Sequence, residues 1–296
     1  MTTRLDVNFT SGSDQCAAWL YLPSNNEPAP VLVMAHGLGG TRGMRLDAFA
    51  ERYSAAGYAC LVFDYRHFGD SEGEPRQLLN IERELEDYAA AVKFIKNDVR
   101  VDGSQVVIWG SSFSGGHAIK LGATLPGIAG IMSQCPFTDG LSSSLALHPL
   151  SSIKVGTLAI ADILSNPFRK TPIMVNLAGN SGDAALMSAH DAKTGYGNLQ
   201  PDNGQLPYYV AARFGLSIMG YFPGRFASKV SCPALVIACL KDTVAPVKPT
   251  LKYAAQLPAG EVVQLDCGHF DIYIGDWFEQ TVAVQLTWLT KYFPLS

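Results

Sequence analysis

Charge is scarce in this chain. Asp, Glu, Lys and Arg supply only 16% of its 296 residues, against about 25% in an average soluble domain. The 22 basic and 26 acidic residues leave a net charge of −4, which makes no electrostatic case for a nucleic-acid or anionic-membrane partner. No apolar run reaches the roughly 18 residues at which a helix begins to span a bilayer. The first six residues carry neither the basic nor the apolar region of a secretory signal. Six cysteines (Cys16, Cys60, Cys135, Cys232, Cys239 and Cys267) form no C-x-x-C pair and share no metal-ligand spacing with histidine. They read as reduced, mostly buried small hydrophobes of a cytoplasmic protein, and no structural metal is expected. Internal repeats and low-complexity tracts are also absent.

Apolar residues are what the chain has in plenty, at 48%. A large core follows, with an excess suited to lining a pocket for a hydrophobic substrate or to a homodimer interface. Strand-like and helix-like segments alternate. Strands are expected at 16–22, 31–35, 60–65, 105–109, 128–133, 234–239 and 262–265. Helices are expected at 45–56, 81–96, 118–123, 249–257 and 276–292. The run at 31–35 is continuously apolar, as in a sheet covered on both faces. This order implies an α/β fold with a doubly wound, mostly parallel sheet.

The rhythm breaks between 137 and 228, a stretch too long for a loop in a compact domain. Its apolar residues fall in patches of helical spacing. It reads as an inserted, mainly helical cap, with 1–136 and 229–296 forming the core; an unrelated second domain is the alternative. The insertion leaves and re-enters on the side where strand C-termini carry ligands.

The densest chemical signal is Val106-Val107-Ile108-Trp109-Gly110-Ser111-Ser112-Phe113-Ser114-Gly115-Gly116. A β-branched run enters a crowded turn of small residues and a helical segment follows, the layout of a nucleophile elbow. Two frames are open, Gly110-x-Ser112-x-Ser114 and Ser112-x-Ser114-x-Gly116. The first is preferred because Gly110 abuts the strand, where the sharp turn must come.

Serine needs a base, and the base needs a carboxylate to fix its tautomer. Asp242 follows the strand at 234–239, and His269 follows the strand at 262–265. The order Ser112, Asp242, His269 is that of a serine, acid, histidine triad. Asp242 has the alternative role of capping the next helix, and Asp139 is a rival acid. Asp266 and Asp271 flank the histidine and are expected to orient its loop. For the oxyanion, the donors chosen are the backbone N–H groups of Phe113 and of Leu38 in the loop His36-Gly37-Leu38-Gly39-Gly40. His36 is expected to buttress that loop.

With these residues the chain resembles an α/β-hydrolase fold serine hydrolase over nearly its whole length. The resemblance also rests on Phe63-Asp64-Tyr65-Arg66, Phe68-Gly69-Asp70-Ser71-Glu72-Gly73, Cys135-Pro136-Phe137-Thr138-Asp139-Gly140 and Gly268-His269-Phe270-Asp271-Ile272-Tyr273. It is most similar to the dienelactone hydrolase or X-prolyl dipeptidyl-peptidase-like branch, which includes fungal polyketide transferases and thiohydrolases. Two positions depart from that pattern: His67 and Ser114 stand where glycine is usual. The activity implied is hydrolysis of a small ester or thioester with an apolar moiety, without a cofactor. Acyl transfer in polyketide biosynthesis and a catalytically silent binding protein are the alternatives.

Overall fold

The computed structural model describes residues 2–24, 27–169, 171–201 and 207–295. The chain opens with β1 (Thr3–Ser11), β2 (Asp14–Leu22) and β3 (Ala29–Ala35), then α1 (Leu46–Ala55), β4 (Ala59–Phe63), α2 (Ile81–Lys96), β5 (Val101–Ser111), α3 (Phe113–Thr124) and β6 (Gly130–Gln134). After the insertion come β10 (Ala234–Cys239), α8 (Val247–Ala254), β11 (Gly260–Leu265) and α9 (Gly275–Tyr292). The insertion itself carries α4 (Gly140–Ala146), α5 (Pro149–Ser165), β7 (Met174–Ala178), β8 (Ala185–Met187), α6 (Ala192–Gly197), β9 (Tyr209–Ala211) and α7 (Phe214–Ser217).

Eight strands form one sheet in the order β1-β2-β4-β3-β5-β6-β10-β11. Only the β1–β2 and β2–β4 pairings are antiparallel. Every residue of β3, β4, β6 and β10 is buried, which is why their sequences read as unbroken apolar runs. β11 lies at the edge, where exposed and half-buried residues alternate up to the buried Leu265.

In the main sheet one strand, β1, goes beyond the expected set. In β1, Leu5, Val7 and Phe9 alternate with polar residues and pair with β2 around a turn at Gly12, whose φ is 60°. This period-2 signal was present in the sequence, but an edge strand with one wet face carries it weakly. Among the described residues, the stretch between β6 and β10 carries four α-helices and a small sheet of order β8-β7-β9. Two of its strands have only three residues, too short for periodicity to register.

The strand order positions the site. From β3 the chain winds outward to β4, while β5 starts the other half and lies directly beside β3, with Ala35 opposite Gly110. At such a switch point the loops leaving two neighbouring strands diverge and open a crevice. The two loops here are 36–40 and the turn after Ser111. No helix among the described residues is long and apolar enough to cross a membrane. All six cysteines are unpaired and buried.

Candidate active site

β5 ends at Ser111 and α3 begins at Phe113, so the whole reversal falls on one residue. Ser112 adopts φ 57° and ψ −115°, a conformation costing on the order of 1–3 kcal/mol that must be held by its surroundings. The Ser112 N–H donates to the Gln134 carbonyl at 2.9 Å, and the Phe137 N–H donates to the Ser112 carbonyl at 2.8 Å. A Cβ at Gly110 would sit 2.1 Å from the Ser114 carbonyl oxygen, so the turn requires glycine there.

The two serines point to different places. Ser114 Oγ accepts the Ser111 N–H at 3.0 Å and donates to the Ala35 carbonyl at 2.6 Å, tying the elbow to the end of β3. Ser112 Oγ lies 2.9 Å from His269 Nε2. The first frame is therefore the one that meets the histidine.

Asp242 does not cap α8, whose N-cap is Pro246 without a side-chain hydrogen bond; it holds its own turn and meets the histidine. Its Oδ1 accepts the N–H groups of Val244 and Ala245 at 2.8 and 2.6 Å, closing its own turn. Its Oδ2 lies 2.6 Å from His269 Nδ1. A carboxylate partner places the imidazole proton on Nδ1 and leaves the Nε2 lone pair facing Ser112. Burial opposes charging His269, but Asp242 and the neighbouring Cys135 together more than offset it, and the His269 pKa stands well above its ordinary value. Asp271 accepts the Gly268 N–H at 2.7 Å and pins the histidine loop. Asp266 instead pairs with Lys241 at 2.9 Å on the surface. Asp139 caps α4 through the Ser142 N–H at 2.8 Å and accepts the Tyr253 hydroxyl at 3.1 Å.

Leu38 and Phe113 both border the space above Ser112. Phe113 is the first residue of α3, where backbone N–H groups have no intrahelical acceptor. In the 36–40 loop, His36 Nε2 contacts the Met44 carbonyl at 3.0 Å, and its ring stacks on Tyr273 at 5.8 Å. Burial lowers its pKa to about 4, so it packs as a neutral ring. A Cβ at Gly40 would lie 2.2 Å from His36 Nδ1, and one at Gly37 would lie 2.8 Å from Ser112 Cβ. Both glycines allow the loop to press against the elbow.

A buried polar chain beneath the elbow was invisible in the sequence. Trp109 Nε1–H donates to the Tyr53 hydroxyl at 3.1 Å, which donates to Gln285 Oε1 at 2.5 Å. Gln285 Nε2 donates to Gln134 Oε1 at 2.9 Å, and Gln134 Nε2 donates to Ser111 Oγ at 3.0 Å. Ser111 Oγ also bonds the Tyr273 hydroxyl. The chain joins α1, α9, β6 and the His269 loop to the residue before Ser112. Such satisfied networks fix one arrangement of a core.

Other charged and histidine residues are committed to packing. Asp64 receives the Arg42 backbone N–H at 2.7 Å and its guanidinium at 2.5 Å, and Arg42 also reaches Asp70. His67, at φ 74°, turns to the Pro75 carbonyl and the Arg83 guanidinium. His117 bridges Glu84 at 2.9 Å and Tyr221 of the insertion at 2.6 Å.

Among the described residues, one group of His, Cys, Asp and Glu donors lies close enough to suggest a metal: Cys135, Asp242 and His269, within 4.8 Å of one another. His269 and Asp242 approach to 2.6 Å, whereas ligands about 2 Å from a tetrahedral ion stand about 3.3 Å apart. The group fits a proton-sharing pair better than a metal.

Above Ser112 lies a cavity of about 230 Å³. Leu38, Phe113 and Phe137 form its base, and α4, α5, α7 and the residues after β8 form its walls. The aromatics Tyr208, Tyr209 and Phe214 do not line it: Phe214 packs edge-on against Phe113 at 5.5 Å, and Tyr208 against Tyr196 at 5.1 Å.

With this geometry in view, comparison with known proteins is direct. The model of the alpha/beta hydrolase family matches residues 32–284. The chain belongs to the alpha/beta hydrolase family. It is 49% identical to the quorum-quenching protein AidA of Acinetobacter baumannii, across 99% of this chain and 96% of that protein. It is 27% identical to the thiohydrolase aneE of Aspergillus aculeatus, across 90% of this chain and 86% of the other. The crystal structure of the alpha/beta hydrolase GrgF from a Penicillium species superposes with a TM-score of 0.85 at 22% identity, covering 99% of this chain and all of that one. This hydrolase thus shares its full-length fold with GrgF.

Proposed function

We propose that this alpha/beta hydrolase cleaves a carboxylic ester or thioester with an apolar moiety through an acyl-enzyme on Ser112. The observation that carries the reading is the continuous hydrogen-bonded relay from Asp242 through His269 to Ser112, at the base of an apolar cavity. His269 Nε2 takes the hydroxyl proton as Ser112 Oγ attacks the carbonyl carbon. Asp242 holds the ring and stabilises the imidazolium that forms. The N–H groups of Leu38 and Phe113 receive the developing oxyanion, each worth roughly 10²–10³ in rate. Collapse breaks the bond to the leaving alcohol or thiol, which takes its proton from His269. Water, activated by the same histidine, then attacks the acyl-enzyme and frees Ser112.

In this reading residues 137–228 act as a cap over a core of 1–136 and 229–296, and the cap supplies most of the acyl cavity. Acyl transfer to an alcohol or amine is the second reading; it shares the first half-reaction and is supported by relatives named polyketide transferase and acyltransferase. The AidA likeness adds a diffusible signal carrying a linear or cyclic ester to the substrates to test.

The experiment is fluorophosphonate labelling and turnover of wild type beside Ser112→Ala, over p-nitrophenyl esters, thioesters and lactones of rising chain length, with competing alcohols. Labelling lost in Ser112→Ala and a kcat lowered on the order of 10⁶-fold, as in another serine enzyme's triad, are the expected results. Unlabelled wild type with a native fold refutes the reading. Ester products in place of acids select the transfer reading.

A further inference from the structure

One hydroxyl in the cavity wall has nothing to bond. Ser188 is 3% exposed and lines the cavity above Ser112. Its Oγ has no hydrogen-bond partner among the described residues. The other hydroxyls there differ: Thr243 Oγ1 donates to Asp191 at 2.6 Å, and Ser143, Ser144 and Ser152 are far less buried. A buried hydroxyl left unpaired costs about 1–3 kcal/mol and calls for an explanation. Here it sits in a mostly apolar wall, where alanine would pack without that cost.

Its place in the chain adds a second constraint. Ser188 directly follows β8, and its neighbour Met187 borders both this cavity and the small void that includes His269 and Ser112. Ser188 thus follows directly on a residue that borders the void beside Ser112 and His269.

We propose that Ser188 is a substrate-recognition residue whose hydroxyl hydrogen-bonds an oxygen substituent on the acyl chain near the scissile carbonyl. The favoured substrate is then an oxygenated acyl group, with a hydroxyl or oxo near the cleaved bond and an apolar tail. This deepens the proposed acyl-enzyme function and rests on it. A site built to bond a substrate oxygen discriminates against the analogue without it, because its own polar group is then left unpaired.

The test uses N-acetylcysteamine thioesters of octanoic acid and of octanoic acid hydroxylated at carbon 3 or carbon 5, with thiol release followed by Ellman's reagent. Wild type is expected to favour one hydroxylated ester by about tenfold or more in kcat/KM. In Ser188→Ala that ratio falls to near one, and in Ser188→Thr, which keeps a hydroxyl, most of it returns. A wild-type ratio near one at both positions, or an unchanged ratio in Ser188→Ala, overturns the proposal. Calorimetric binding of the corresponding free acids to Ser112→Ala, with and without Ser188→Ala, separates the two levels. Selectivity in binding that depends on Ser188, with no thioester cleaved by wild type, refutes the hydrolase reading and upholds Ser188. Cleavage without such selectivity does the reverse.

Discussion

Ser114→Ala distinguishes a structural serine from a catalytic one, and the structure sets its size. The Ser114 hydroxyl holds the Ser111 N–H at 3.0 Å and the Ala35 carbonyl at 2.6 Å. Both groups are buried, and alanine leaves both without this partner. An orphaned buried polar group costs about 1–3 kcal/mol. Two in one spot, with some relaxation, give about 2–4 kcal/mol, or a melting temperature lower by roughly 4–16 °C at the 2–4 °C per kcal/mol of a chain approaching this size. The peptide units concerned lead directly into the 36–40 loop and into Ser112. Loosening them lowers kcat by at most about the 10²–10³ associated with one oxyanion donor. Fluorophosphonate labelling continues at a reduced rate.

Scanning calorimetry and labelling rates on Ser112→Ala and Ser114→Ala make the comparison. The expected pattern is crossed: Ser112→Ala loses labelling and keeps its melting temperature, whereas Ser114→Ala keeps labelling and melts earlier. A Ser114→Ala protein with unchanged melting and no labelling would refute the reasoning, since the nucleophile would then lie in the second frame.

Two further predictions concern pH and cavity shape. His269 must be neutral to accept the Ser112 proton, and Asp242, with Cys135 beside it, holds its pKa well above the ordinary 6.5. The acid limb of kcat/KM is therefore centred above pH 6.5, and Asp242→Asn moves it down; a limb at or below 6.5 in wild type contradicts the coupling. The linked stability follows the same sign: it is fully present below the unfolded value of about 6.5 and lost as pH rises through the folded pKa, which urea melts of both proteins across that range measure. Gly156, on α5 in the cavity wall, has nothing within 4 Å of an added Cβ, although glycine inside a helix costs about 1 kcal/mol against alanine. Gly156→Leu enters the cavity and lowers the octanoate-to-acetate ratio of p-nitrophenyl ester turnover at least tenfold; an unchanged ratio would mean the acyl chain runs elsewhere.

The legible parts of this protein share one property: each hangs on the end of a strand of the main sheet. Ser112, Asp242 and His269 follow β5, β10 and β11, whose apolar runs stand out in the sequence, and parallel strands bring their C-terminal ends to one edge. Position in the chain thus translates into position in space. Choosing between Ser112 and Ser114 needed only the glycine that abuts the strand. The chain from Trp109 through Tyr53, Gln285 and Gln134 to Ser111 offered no such handle. Its members come from α1, α9, β5 and β6, and a glutamine on a helix reads the same whether it faces solvent or a buried partner. The β7–β9 sheet was hidden for a different reason, having strands shorter than the period that would reveal them.

The same contrast separates reaction type from substrate choice. In the proposed mechanism the groups that meet the reacting atoms come mainly from the core strands: the relay from β5, β10 and β11, and the Leu38 loop from β3. The walls that would meet the rest of the acyl group come largely from 137–228, including Gly156 and Ser188. Substitutions in that stretch beyond Phe137 can reshape the cavity without moving Ser112, whose backbone is held by the Gln134 carbonyl and the Phe137 N–H. Changes in substrate preference should therefore map to the insertion, and loss of all turnover to the strand ends. A scan of cavity-lining residues in 137–228 tests this division: chain-length and oxygenation preferences should shift while the rate of fluorophosphonate labelling at Ser112 stays within about tenfold. Labelling rates that collapse together with preference would instead mean that the insertion helps build the reactive centre.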